Sequence, residues 1–244
     1  MVGAFRKAGL AAALMLGLVA CTTPDAPVEV FDPYEARNRS IHTFNVSLDR
    51  NVVRPVARAY GAVLPRPVRT GVSNLSDFLS TPGYMVNDLA QGNIEDAGHN
   101  ATRLLMNAVF GFGLLDTAAA AGVERRPADF GETLFTWGVP EGAFIERPVL
   151  GPSTERDLAG GIVDIVTNPT AYALNRSVIW VSPGITAGDV LNWRYELGDT
   201  IDGVFYESAD SYAQTRNTYL QNRRFELGQE DDFAFDPYED FPDE

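Results

Sequence analysis

Few residues in this chain have the type and spacing that catalysis or metal binding requires. The two histidines, His42 and His99, each stand alone on a predicted helix, without nearby metal ligands. No Gly-x-Ser-x-Gly sequence is present to supply an activated serine. Adjacent acids at Glu95–Asp96 fit the first turn of a helix. We therefore predict no catalytic residues, no metal ligands and no bound cofactor.

The stretch Asn107–Gly122, "NAVFGFGLLDTAAAAG", has alternating glycines that could belong to a phosphate-binding loop. Its Gly-x-Gly pair lacks a third glycine and a preceding strand, so it is very weak evidence for nucleotide binding. "DFG" at Asp129–Gly131 is likewise unaccompanied by the other kinase motifs. Two interpretations of the stretch stay open: a turn that contacts a membrane, or an interior turn of a protein core.

The N-terminus carries the chemistry that the sequence indicates most clearly. Arg6 and Lys7 precede an apolar run, Ala8–Ala20, which is too short to span a bilayer and is typical of an export signal. Its end resembles a lipobox at Cys21, the one cysteine in the chain, whose thiol would receive a diacylglycerol. Two or more acyl chains anchor a protein stably. Because the lone cysteine lies where a lipobox requires it, we expect a lipoprotein rather than an ordinary signal peptide with an incidental cysteine. Thr22 follows it where an aspartate would be the usual inner-membrane retention signal, so we expect the outer membrane.

The net negative charge of the chain argues against nucleic acid as a partner. Removal of Arg6 and Lys7 with the signal leaves 17 basic and 33 acidic residues, a net charge of −16. Such a chain is not expected to bind nucleic acid. We divide it into a signal peptide (1–20), a lipidated tether (21–31), a helical domain (32–224) and an acidic, disordered tail (225–244).

Helix signals dominate the domain. Asp32 is the expected N-cap of the first helix, with Pro33 at its first position and Glu35 completing a capping box. A break is expected near Asn51, after which Arg54–Tyr60 continues or restarts the helix. Period-two alternation is scarce, so the residues themselves predict an all-α fold.

A second helix, Val72–Leu79, is expected to stop at Ser80–Gly83. There Thr81 would cap a further helix that begins at Pro82 and ends at Gly92.

Asn93 is the expected cap of the best amphipathic helix. Its apolar residues recur at helical spacing and predict one apolar face: Ile94, Ala97, Ala101, Leu104, Leu105, Ala108 and Val109. Polar Asn107 and Asp116 argue against a spanning helix over Leu104–Val123. An interfacial helix that turns at Gly111–Gly113 fits better, with a buried core helix as the alternative.

The later part of the chain begins with a Gly- and Pro-rich segment, Val123–Ser153, that is too long for an unstructured loop without a role. Ser153 is the expected cap of the next helix. Further helices are expected at Thr170–Trp180, Ala187–Phe205 and Ser211–Arg224.

Several blocks in the right order resemble the MlaA (VacJ) family of outer-membrane lipoproteins. They read "DPYEARNR…FN…LD…VRPVA", "VSN…FL.TP..MVNDLAQG", "R.LMN…G.GLLD.A…G" and "DFGETL…WGV…….PVLGPST.RD". The resemblance covers about Asp32 to Arg224. One departure is visible, because Ala36 and Arg37 replace the Gly-Phe pair that is usual in the family.

The resemblance implies a single ring-like domain of amphipathic helices with a Gly/Pro-rich hairpin at Phe130–Gly151, seated in the inner leaflet of the outer membrane. Its amphipathic channel would let phospholipid leave the outer leaflet toward the periplasm. The implied partners are phospholipid, a trimeric outer-membrane porin and a soluble periplasmic lipid-binding protein. A porin-binding scaffold that moves no lipid, or a lipid hydrolase that uses His42 and His99, are the alternatives.

The resemblance also implies which residues contact lipid. The opening helix around Phe44 and Asn45 would border the channel. The other expected contacts lie in the glycine stretch and in the hairpin segment: Phe110, Phe112, Leu115, Leu134, Trp137, Val139, Phe144 and Ile145.

Overall fold

A computed structural model describes residues 30–170 and 181–229 of the 244. The signal peptide, Cys21, most of the tether, the helix expected at Thr170–Trp180 apart from its first residue, and most of the acidic tail lie outside the described residues. The described elements are α1 (Glu35–Leu48), α2 (Arg54–Val63), α3 (Arg66–Gln91), α4 (Ile94–Val109), α5 (Thr117–Ala120), α6 (Phe130–Thr136), β1 (Phe144–Arg147), β2 (Gly151–Thr154), α7 (Glu155–Thr167), α8 (Val181–Glu196), α9 (Gly198–Asp202) and α10 (Ser211–Glu226). Mostly helical, as predicted, the fold also contains one small sheet.

One long helix opens the domain, because α1 and α2 are joined by a π-helical turn at Asp49–Val53. The break expected near Asn51 is therefore a widened turn and not an interruption. The expected N-cap was wrong: Tyr34 occupies that position without a side-chain bond. Asp32 instead accepts hydrogen bonds from Asn38 (2.9 Å) and Arg216 (2.9 Å), which are tertiary contacts that local sequence does not reveal.

Helix α3 continues through Pro82, so the boundary predicted at Ser80–Gly83 was wrong. Proline removes one backbone donor, but neighbouring hydroxyls can bond carbonyls near the site. Here the Thr81 hydroxyl donates to the Asp77 carbonyl at 2.8 Å. The predicted end is confirmed, since Gly92 adopts φ 79° and Asn93 caps α4 by accepting from the Asp96 amide at 3.1 Å.

The Gly/Pro-rich segment folds into helix α6 and then an antiparallel hairpin. β1 pairs with β2 in the register Phe144↔Thr154 to Arg147↔Gly151. The residues alone predicted no hairpin, whereas the resemblance did, and the hairpin lies at the end of the segment it implied. Thr154, not Ser153, caps α7, because its hydroxyl accepts from the Asp157 amide at 3.1 Å.

The helices pack in a circuit that agrees with a ring-like domain. Helix α2 packs on α8, α8 on α3, and α3 on α6 and α7. Helix α7 contacts β2, and β1 returns to α1, which is continuous with α2. No helix in residues 30–170 or 181–229 combines the length and the apolar character that crossing a membrane requires.

Asp210 ties α10 to α1. Its carboxylate accepts two hydrogen bonds from Arg39, at 3.0 and 2.9 Å, and one from the Ala213 amide at the start of α10. The Arg39 guanidinium, helped by that amide, lowers the pKa of Asp210 to about 2. A carboxyl with a depressed pKa stabilises the fold above its unfolded pKa, and this contribution is lost as the pH falls through the folded value.

We expect Asp210→Asn to destabilise the protein by less than about 1 kcal/mol at pH 7, because the ion pair is largely exposed. Asparagine still caps the helix, so Asp210→Ala should cost about 1 kcal/mol more. Thermal unfolding of the purified protein in detergent between pH 7 and pH 2 measures both. The difference in unfolding temperature between wild type and Asp210→Asn should shrink as the pH falls from 4 to 2. A difference as large at pH 2 as at pH 7 would show that the ion pair is not its cause.

Candidate functional site

The interior of the described structure is polar. Its buried side chains comprise 21 polar or charged residues and nine hydrophobic ones, the reverse of a soluble core. Every buried residue of α3 is polar or charged: Arg69, Ser76, Asp77, Thr81, Asn87 and Asp88. Arg103 and Arg156 are the largest of the fully buried side chains. Such an interior does not obtain its stability mainly from apolar burial.

The outer surface is correspondingly apolar. Large hydrophobic side chains are exposed on most of the helices, on the turn after α4 and on the hairpin tip: Phe44, Val52, Val56, Val63, Val68, Leu89, Ile94, Leu105, Val109, Phe110, Phe112, Leu114, Leu115, Trp137, Val149, Leu150, Ile162, Ile165, Val166, Val190, Trp193 and Phe225. We call this set the apolar surface. So many exposed large apolar side chains indicate contact with lipid or with another protein.

Helix α4 shows the inversion most clearly. Of its predicted apolar face, Ile94, Leu105 and Val109 are exposed, with Leu105 at 65%. The buried side chains on the opposite face include Asn100 and Arg103. The predicted periodicity is confirmed, and the alternative of a buried core helix does not hold for this apolar face.

Arg103 organises the polar interior beside α4. Only 2% exposed, it pairs with Asp116 at 2.9 Å and Asp77 at 3.4 Å, and it also donates to the Val123 carbonyl. Burial raises the pKa of Asp77 despite the opposing charges of Arg125 and Arg103. Burial also acts to raise the pKa of Asp116, but the hydrogen bonds from the Ala119 amide and from Arg103 outweigh it. The pKa of Asp116 is therefore lowered. The guanidinium thus joins α3, α4 and the following turn.

A second buried guanidinium, Arg194, joins α8 to the long opening helix. It donates to both oxygens of Asp49 at 2.8 Å and to Asp202 at 2.7 Å. The Tyr206 hydroxyl donates to Asp49 at 2.5 Å, and burial together with that carboxylate raises the pKa of Tyr206 to about 12. The π-helical turn therefore supplies Asp49 to this network.

The glycine stretch forms a tight turn whose side chains point outward. Gly111 is required, since a Cβ there would lie 2.1 Å from the Leu115 carbonyl oxygen. Phe112, at φ 51°, and Gly113, at φ 72°, occupy the left-handed region, which is uncommon for an aromatic residue. Phe112 is 82% exposed, and Phe110 and Leu115 are exposed beside it. The backbone here presents large apolar groups to the surroundings and has no feature of a phosphate loop.

The residues predicted to contact lipid divide into two groups. Phe44, Phe110, Phe112, Leu115 and Trp137 belong to the apolar surface, while Val139 and Ile145 are partly exposed.

Leu134 and Phe144 are fully buried, at 0% and 1% exposure. Phe144 packs against the ring edges of Tyr212 and Tyr219. Direct lipid contact by these two side chains is therefore corrected, because both are enclosed by protein. The rings of α10 cover Phe144, and Leu134 lies on α6, which packs against α3 and α7.

Asn45 anchors the hairpin. Its amide donates to the Glu146 carboxylate and the Arg147 carbonyl, both at 2.9 Å, and its oxygen accepts from the Val149 amide at 2.7 Å. Val149 has φ 69°, a strained conformation for a β-branched residue. It is exposed together with Leu150 at the tip of the hairpin, and sequence reasoning missed both. The apolar pair between Pro148 and Gly151 was the available signal.

Ser211, His42 and Glu146 lie in the order of a catalytic triad. His42 Nε2 is 3.1 Å from the Ser211 hydroxyl, and Nδ1 is 3.5 Å from Glu146. His42 and Glu146 are buried, and Nδ1 has no hydrogen-bond partner to orient the ring. The Ala213 amide nearby, a potential oxyanion donor, already binds Asp210. The arrangement lacks two parts that a triad needs.

The other histidine and the acidic residues form no visible metal centre. His99 bonds the Glu124 carbonyl through Nε2 at 2.6 Å. Within residues 30–170 and 181–229, no group of three or more His, Cys, Asp or Glu side chains is arranged to hold a metal ion.

Comparison with known proteins finds relatives of similar sequence and fold. The family model for the MlaA lipoprotein matches residues 30–226. Intermembrane phospholipid transport system lipoproteins MlaA from Shigella flexneri and Escherichia coli (strain K12) are each 34% identical over 200 residues, which cover 80% of this chain and 77% of the relative. A solved structure, from work on the structural basis for maintenance of bacterial outer membrane lipid asymmetry, superposes with a TM-score of 0.71 at 32% identity. It covers 80% of this chain and 98% of the solved one.

Proposed function

Because the chain belongs to the MlaA lipoprotein family, we propose that it removes mislocalised phospholipids from the outer leaflet of the outer membrane and passes them toward the periplasm. The observation that carries this proposal is the inverted polarity, with paired charges inside and large apolar side chains outside. A protein seated in one leaflet needs this arrangement, because its outer face contacts acyl chains and its interior must admit a polar headgroup.

In this proposal the apolar surface fixes the depth of the ring in the inner leaflet. The exposed turn at Phe110–Leu115 dips among acyl chains, and Trp137 and Trp193 lie near the headgroups, where tryptophan is favoured. Cys21 carries the lipid anchor on the periplasmic face. The polar interior provides a path on which a headgroup keeps its hydrogen bonds while the acyl chains follow an apolar route.

The proposed partners are a trimeric porin, which would hold the ring in place, and a soluble periplasmic lipid-binding protein, which would receive the lipid. Passage through the ring is passive, and its direction is set by the acceptor. No chemical change of the lipid is required, so we propose that the protein is not an enzyme.

Deletion of the gene tests the proposal. Outer-leaflet aminophospholipid, labelled on intact cells by an impermeant amine reagent, should rise in the deletion strain and return to normal with the wild-type gene. A deletion strain with normal outer-leaflet phospholipid would contradict transport and favour a porin-binding scaffold.

The Ser211–His42–Glu146 arrangement is the specific observation that favours a hydrolase. We expect purified wild-type protein to release no lysophospholipid or fatty acid from vesicles, and Ser211→Ala to transfer phospholipid as well as wild type does. Mass spectrometry of the vesicle lipids measures both outcomes. Lipid cleavage by the wild type that Ser211→Ala abolishes would establish the hydrolase instead.

A further inference from the structure

A polar cavity of about 300 Å³ lies between the hairpin, α7 and α10. Its lining is charged and hydrogen-bonding: Asp129, Arg147, Ser153, Asp157, Gly161, Asp164, Tyr219, Asn222, Arg223 and Glu226. The volume is at the lower end of the range for small-molecule sites. No role for this cavity follows from the apolar surface or from the Arg103 and Arg194 networks.

The charges of the lining are not fully matched within it. Arg223 already pairs with Asp129 at 2.7 Å, Asp157 at 3.1 Å and Glu226 at 3.3 Å. Arg147 donates to the Gly151 and Pro152 carbonyls and, within the described residues, forms no ion pair with a carboxylate. Four carboxylates thus face two guanidinium groups. A ligand that carries both a cation and an anion can pair with the surplus carboxylates and with the Arg147 guanidinium.

Gly161 lines the cavity without a side chain. A glycine inside a helix costs about 1 kcal/mol relative to alanine, so its presence needs a reason. Its neighbour Gly160 has one, because a Cβ there would lie 2.3 Å from the Gly131 nitrogen. A Cβ at Gly161 would meet nothing within 4 Å, so packing does not require glycine, and a larger side chain would enter the cavity.

Two apolar residues lie near lining residues along their helices. Ile165 follows Gly161 by one turn of α7, and Phe225 lies beside Glu226 on α10. Both side chains are exposed. A polar pocket with exposed apolar residues on the same helices suits the headgroup and the first acyl carbons of a phospholipid.

We propose that this cavity binds the phosphoethanolamine headgroup of a zwitterionic phospholipid. Asp129 and Glu226 receive its ammonium group, Arg147 receives its phosphodiester, and the acyl chains leave past Ile165 and Phe225. Anionic headgroups are disfavoured, because they bring no cation to the four carboxylates. This inference rests on the proposed transport function and adds a lipid preference to it.

Native mass spectrometry of the full mature lipoprotein in detergent tests the preference, with phosphatidylethanolamine and phosphatidylglycerol of identical acyl chains as probes. We expect wild type to bind the ethanolamine lipid about tenfold more tightly, the effect of one charge-assisted contact. Gly161→Leu, which fills the cavity, should abolish the preference, and Glu226→Gln should weaken it. The matched control is Gly98→Leu on the exposed face of α4, where a Cβ also meets nothing. It should behave as wild type.

Three outcomes overturn the assignment. Equal binding of both lipids by wild type, with vesicle transfer intact, would remove the headgroup site and leave the transport function standing. Competition by soluble glycerophosphoethanolamine as strong as that by the lipid would assign the cavity to a free metabolite. Retained lipid preference in Gly161→Leu with loss of cross-linking to a periplasmic protein would assign it to a basic side chain of that partner. Absence of any lipid transfer would instead contradict the proposed function.

Discussion

Arg103→Met is expected to lower the free energy of unfolding by about 3–5 kcal/mol, a large share of the stability of a typical domain. Methionine fills similar volume but leaves Asp77 and Asp116 without their shared guanidinium, and the Val123 carbonyl loses its donor. Unpaired charge in a low-dielectric interior is costly because water cannot replace the lost partner. Denaturant unfolding of the purified protein in detergent, followed by circular dichroism, measures the loss.

Two further variants identify the cause. Arg126→Met removes an exposed arginine that pairs with Asp96, and it should leave the unfolding midpoint nearly unchanged, because solvent screens the pair. Adding Asp116→Asn to Arg103→Met should recover part of the stability, because asparagine removes the unpaired charge and still caps α5. Equal losses for Arg103→Met and Arg126→Met would show that the interior is hydrated and that the ion pair is not a structural element.

Phe112→Asp is expected to abolish transport and leave the fold intact. The side chain is 82% exposed, so aspartate loses no internal packing. In the proposed seating it would carry charge to acyl-chain depth, which costs roughly 2.5–3.5 kcal/mol at the centre of a bilayer and less near the headgroups. Outer-leaflet aminophospholipid in cells that carry the variant should rise toward the level of the deletion strain.

Two control variants show whether the effect of Phe112→Asp comes from its depth in the membrane or from the added charge alone. Gln221→Asp places the same charge on the exposed side of α10, outside the apolar surface, and should complement the deletion fully. Phe112→Trp reports depth, because brominated acyl chains quench a tryptophan that lies among them. Absence of quenching, or normal function of Phe112→Asp, would return the turn to a position outside the leaflet.

Sequence signals worked where the decisive interaction is local. The cap at Asn93 and the stop at Gly92 depend on backbone groups within a few residues, and both are present. Pro82 and Asp32 were misread because distant partners decide their roles. Helix α3 continues through its proline while held by neighbouring helices, and Asp32 bonds Arg216, 184 positions away.

By itself the sequence determined the helical fold class, the family and the residues that share each helix face, because composition, motif order and periodicity are properties of the chain alone. Only the tertiary structure decided which face of a helix is inside. Periodicity sets which side chains of α4 share a face, but it does not say whether that face lies inside or outside. The orientation is decided by the groups around Arg103, Asn107 and Asn100, which pair with these polar side chains. Leu105 and Val109 therefore lie outside. The same contacts bring Arg147 on β1 and Glu226 on α10 to one cavity.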